Sequence, residues 1–109
     1  MQTEWYAVKG LFRWYFKHQQ QTHQIEERVV LFQAHSFDHA LDLAEAEAQQ
    51  YCQPDDDANV LIEPMGWWHA YWIGDTPTHG VEVFSRRAQT QLSGQDFVRR
   101  YYPKSHRTR

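Results

Sequence analysis

The sequence predicts an α+β domain of ββαββα order: a four-stranded, mainly antiparallel sheet with one long helix on one face and a short C-terminal helix. Three observations predict it. Seventeen of the 109 residues are aromatic, and most lie in strand-like runs at Trp5-Tyr6, Phe12 to Phe16 and Trp67 to Trp72. One alanine-rich amphipathic segment sits between those runs. Turn clusters at 54–59 and 74–78 punctuate the chain.

Each element follows from its pattern. In residues 4–16 the even positions Tyr6, Val8, Gly10, Phe12, Trp14 and Phe16 form an almost wholly apolar face, so the core is expected on the even side. Gly10 in mid-strand marks a bulge or a close backbone approach. Residues 17–24 are polar and read as a hairpin connection, followed by a second strand over 25–35. Val29 to Phe32 is apolar on both faces, which predicts cover on both sides or a position away from an exposed edge.

Ser36 is a good N-cap, and Asp38 stands where the helix dipole favours an anion. Phe37, Leu41, Ala44, Ala48 and Tyr51 then repeat at helical spacing. Ala40, Ala44 and Ala48 make a strip of small residues suited to close packing on a sheet, with Asp42, Glu45, Glu47 and Gln49 facing away. Pro54 ends the helix. A third strand runs from Val60 to Ile73, with a bulge or bend expected at Pro64 and Gly66. A fourth is expected over 80–87. Ser93 and Asp96 have the spacing of a capping box before a short helix that ends ahead of Pro103. The crossover from the second strand through the helix places the third beside the first, giving a strand order of 2-1-3-4.

These elements form one domain over residues 1–103, followed by a basic flexible tail at 104–109. The net charge of −3 conceals an asymmetry. Residues 1–85 hold 13 acids and 4 bases, whereas residues 86–109 hold 1 acid and 7 bases. The basic segment is expected to lie near the acidic helix and turns; the functional alternative is an anionic partner. No stretch reaches the ~20 apolar residues needed to span a bilayer, and Met1 to Glu4 lacks the character of a signal peptide. Cys52 is the single cysteine, so a reducing cytoplasm is the expected compartment.

Several segments together resemble a known family. Trp5-Tyr6-Ala7-Val8-Lys9 opens the first strand, and Glu26 to Ala34 forms the second. Ser36-Phe37-Asp38-His39-Ala40 starts the helix, and Gly80-Val81-Glu82-Val83-Phe84-Ser85-Arg86 is the most specific stretch. This set is similar to a small bacterial family, domain of unknown function 4288, over residues 4–102. The resemblance implies a common fold and no assigned activity. The aromatic enrichment at 64–72 departs from the family pattern, and the basic tail lies outside it.

The residues offer little catalytic chemistry. His35 and His39 are four apart with the helix start between them, and no cysteine pair supports them. Asp55, Asp56 and Asp57 lack the glycine and distal glutamate of a calcium loop. Cys52 and Ser85 lack the partners of a nucleophile. The five glycines are scattered, so no phosphate loop forms. The expectation is therefore no catalytic, cofactor or metal site.

Trp5, Leu11, Tyr15, Trp67, Trp68, Tyr71 and Trp72 are the candidate interface residues, because alternation puts part of this set outside the core. Glu82, Ser85 and Arg86 are polar candidates for the rim of an interface or cleft. The expected role is non-enzymatic protein–protein contact, including self-association as a homodimer. The alternative is a nucleic-acid module that uses the basic C-terminal segment. No membrane partner is expected.

Overall fold

The computed structural model describes residues 2–55 and 57–102. Its elements are β1 (Glu4–Phe16), β2 (Gln19–Ala34), α1 (Phe37–Tyr51), β3 (Val60–Ile73) and α2 (Gly94–Tyr101). The sheet has three strands in the order β2-β1-β3, and β1 pairs antiparallel with both neighbours. The expected tail at 104–109 lies outside the described residues.

The even face of β1 carries the core, as its periodicity predicts. Tyr6, Val8, Ala34, Ala40 and Ala44 form the buried cluster, with Phe32, Leu41, Leu43, Trp68 and Ala70 against it. Ala40, Ala44 and Ala48 are the buried residues of α1. Methyl-sized side chains let the helix axis approach the sheet closely, and the larger side chains flank that contact. Ser36 caps the helix by accepting from the His39 amide at 3.0 Å, satisfying a donor that the first turn leaves free.

Gly10 and the bulge of β3 belong to one arrangement. Gly10 opposes Trp68, and the register of β3 against β1 shifts between Gly10 and Phe12. Gly66 in that bulge has φ +75°, a conformation that glycine adopts without steric cost. Trp68 lies across the bare Gly10 backbone and meets Phe12 edge-on, with ring centroids 6.0 Å apart.

Two expectations are corrected. The second strand begins at Gln19, with the register shifting between Tyr15 and Phe16, so most of the 17–24 connection belongs to the hairpin itself. Among the described residues the expected fourth strand is absent, and the element order is ββαβα rather than ββαββα. Residues 80–87 have the composition of a strand but form no ladder with the sheet. The outer edge of β3 is broken by Pro64, which has no N–H, and by the bulge after it. Gly80, at φ +87°, turns the chain instead, and the Val81 amide closes that turn on the Thr78 carbonyl at 3.1 Å.

Gly10→Ala tests the close approach. A Cβ there would fall 2.6 Å from Trp68 Cζ3 and 2.9 Å from Cε3. Strand propensity alone favours alanine, but the displaced indole should make the variant less stable by about 1–3 kcal/mol in urea titration.

Candidate interaction surface

The odd positions of the strands form the face opposite α1. Trp5 stands between Gln33 and Ile73, Ala7 between Leu31 and Tyr71, and Lys9 between Val29 and His69. Arg13 lies between Ile25 and Glu63, and Tyr15 between His23 and Leu61.

Residues 81–90 have no regular secondary structure, and Phe84 from this strap sits on the β3 half of the face. Its ring centroid lies 5.6 Å from His69 and 6.2 Å from Tyr71. The Lys9 ammonium is 5.3 Å from the same ring and 2.9 Å from Glu27. A buried lysine therefore keeps a carboxylate and an aromatic face as partners. Further along, Arg13 donates to Glu63 at 3.0 Å and to His23 Nδ1 at 3.0 Å, and it stacks on Tyr15 at 4.2 Å.

The strap leaves the β2 half bare. Ile25, Val29 and Leu31 are 54%, 42% and 38% exposed. They point to the same side as Trp5, Leu11 and Tyr15, which are half-buried. Together they make an apolar patch beside an open strand edge. Helix α2 does not cover it, since it contacts none of the other elements; its own aromatic contacts join Phe97 to Tyr101 and Tyr102.

The structure divides the candidate aromatics. Trp5, Leu11, Tyr15 and Tyr71 share the face opposite α1, with Tyr71 against Phe84. Trp68 packs in the core beneath the helix. Trp72 is also on the helix side, where it remains 48% exposed and donates its indole N–H to Glu4 at 3.1 Å. Trp67 stands in the bulge at 43% exposure. Glu82, Ser85 and Arg86 are exposed along the strap and form no cluster with the aromatics. Ile25, Val29 and Leu31 are the surface residues that sequence reasoning missed. Their signal was present as apolar residues at odd positions 25, 29 and 31, interrupted by Glu27. The doubly apolar run at 29–32 pointed instead to a covered strand, whereas β2 is an edge.

The helix side ends in a polar network. Arg28 donates to both carboxylate oxygens of Glu47 at 2.6 Å and lies 3.6 Å over the Tyr51 ring. The Tyr51 hydroxyl donates to Glu26 at 2.9 Å, and the Trp14 indole donates to the same oxygen at 3.2 Å. Glu47, expected to face away, is therefore turned toward the sheet. The Arg28 hydrogen bonds hold the Glu47 carboxyl below its ordinary range. Burial, followed by the Glu26 hydrogen bond, raises the Tyr51 hydroxyl, and burial raises the Cys52 thiol. His35 and His39 stack with centroids 5.1 Å apart, but among the described residues no group of three or more potential ligands surrounds any point. A hollow of about 600 Å³ opens at the hairpin end between Trp14, Phe16, His23 and Val60.

Fold and surface define a small α+β domain: a helix on one side of a three-stranded antiparallel sheet, and a strap with an aromatic anchor over half of the other. The chain belongs to the family described as Domain of unknown function (DUF4288), whose profile matches residues 5–85. That span ends one residue beyond Phe84, so the matched region holds the sheet, α1 and the anchor. No curated protein and no solved structure matches the chain. No helix among the described residues is long and apolar enough to cross a membrane.

Two outcomes are expected. Phe84→Ala should lower stability by about 1–3 kcal/mol, since a half-buried aromatic contact is lost. It should also raise binding of an apolar dye, read by fluorescence. The depressed Glu47 value means that its ion pair stabilises the fold above the ordinary carboxylate range and is lost as pH falls through the lower folded-state value. Glu47→Gln should therefore be less stable than the parent at neutral pH. The gap should close on acidification, as followed by denaturant titration at several pH values.

Proposed function

We propose that this domain is non-enzymatic and works through protein–protein contact in a reducing cytoplasm, with its own copy as a partner. The observation that carries this reading is the uncovered apolar patch of Ile25, Val29 and Leu31 beside Trp5, Leu11 and Tyr15. Large contiguous apolar patches rimmed by polar groups mark interaction sites. Gln33 and the Arg13–Glu63 pair border it, and the Lys9–Glu27 pair lies within it between Ile25 and Val29.

The polar chemistry of the domain supports a structural use. Arg28, Glu47, Tyr51 and Glu26 satisfy one another across the helix–sheet contact. The hollow at the hairpin end includes no carboxylate in its lining, and His23 beside it is already engaged by Arg13. Nucleic-acid binding gains little from the aromatic face, where Lys9 and Arg13 are both held by carboxylates. The lone Cys52 has no cysteine partner within the chain, which suits a reducing compartment.

Sedimentation at micromolar concentration tests the reading. The parent chain should run at twice 13.1 kDa, and Leu31→Lys should weaken association by on the order of tenfold or more. Compared at dilutions where both chains are monomeric, the melting temperature should be nearly unchanged, because Leu31 is already exposed in the single chain. A parent protein that stays monomeric at every concentration overturns self-association.

A further inference from the structure

The two outer edges of the sheet are built differently, and the difference identifies how a second copy docks. The β3 edge is interrupted by Pro64 and by the bulge at Gly66. Both features block strand addition over residues 64–66, and the regular remainder, residues 68–73, has Phe84 of the strap against His69 and Tyr71. The β2 edge has neither. Residues 23–34 pair with β1 residues 4–15 without a register break, and no proline or glycine occurs between residues 17 and 53.

Charges on an edge strand normally deter pairing. Those of β2 are turned onto their own subunit. Glu26 accepts from Tyr51 and Trp14, Glu27 holds Lys9, and Arg28 is bound by Glu47. Beyond Arg28, the run Val29-Val30-Leu31-Phe32-Gln33-Ala34 has no charge at all. A six-residue segment of high β-propensity, without charge or proline, is the kind that seeks another strand when left on an edge.

We infer that a second copy of this chain adds to the β2 edge in antiparallel register, joining two three-stranded sheets into one of six strands. This deepens the self-association proposed above and rests on it. A two-fold axis perpendicular to the sheet keeps like faces together, so opposed residues share a face. An axis at Glu27 or Arg28 would set like charges directly opposite each other, which is unfavourable. An axis at Val30 opposes Val30 with itself, Val29 with Leu31, Arg28 with Phe32 and Glu27 with Gln33. No like charges meet, and the uncharged run is paired along its length. The Val29 and Leu31 side chains of both copies then form one continuous patch. The two β1 strands would stand three strand spacings apart, roughly 14 Å, which accommodates neighbouring helices of about 10 Å diameter.

Amide hydrogen exchange on the full chain, at a concentration where it sediments as a dimer and again after dilution to monomer, tests the geometry. Alternate amides of Val29–Ala34, those facing away from β1, should be protected by on the order of tenfold more in the dimer. Protection should fall to the monomer level on dilution and be absent in Leu31→Lys. A dimer that leaves the β2 amides unchanged, or protects those of β3, overturns edge pairing while self-association stands. A chain that never dimerises overturns both.

Discussion

The central strand β1 points Val8 and Phe12 to one side and Ala7 and Lys9 to the other, and all four are buried. A strand closed on both faces needs two covering layers. On the even side the layer is α1, which lies on the sheet through a strip of alanines and so leaves space at its flanks for Phe32, Leu41, Leu43 and Trp68. On the odd side no helix packs among the described residues. One aromatic residue of an irregular strap supplies that cover, and a single Phe84 ring is too small to close a whole sheet face. It shields Lys9, His69 and Tyr71 and stops there. The exposed patch on β2 is what remains.

The polar network at the end of α1 sets how the helix is seated. The helix has no C-capping glycine; Cys52 closes it on the Ala48 carbonyl at 2.9 Å. Alanine strips alone specify closeness but not rotation or translation along the sheet, because methyl groups interlock weakly. The two-pronged Arg28–Glu47 contact and the Tyr51–Glu26 hydrogen bond add directional constraints. The Tyr51 ring also meets Phe12 and Trp14 edge-on, at 5.4 and 6.5 Å. The same contacts draw the acidic and basic side chains of β2 away from its edge. Helix docking and edge chemistry are thus coupled through Glu26 and Arg28.

The family profile matches the sheet, α1 and the strap through Ser85. The most specific stretch of that resemblance, Gly80 to Arg86, therefore carries the anchor rather than a strand. Its pattern is intelligible in those terms: Gly80 supplies a positive φ for the turn, and Phe84 supplies the ring. Glu82, Ser85 and Arg86 remain on the outside of the strap.

Periodicity in the sequence was sufficient for β1, β3, α1 and α2, for the buried even face of β1, and for the irregularity at Pro64 and Gly66. Those features depend on local chemistry: alternation, capping at Ser36 and Ser93, and the backbone limits of proline and glycine. The aromatic excess likewise implied a surface needing cover. Which residues formed that surface was decided by tertiary structure. Alternation shows that Val29 and Leu31 share a face, but not whether anything lies over them. Val81 to Phe84 reads as a strand because Val and Phe favour extended backbone, yet a strand exists only where its backbone pairs with a neighbour, and this segment lays Phe84 on the face of β3 instead. The sequence by itself determined β1, β3, both helices and the inner face of β1. The pairing of edges and the reach of the strap determined what was left open, because both depend on contacts between segments far apart in the chain.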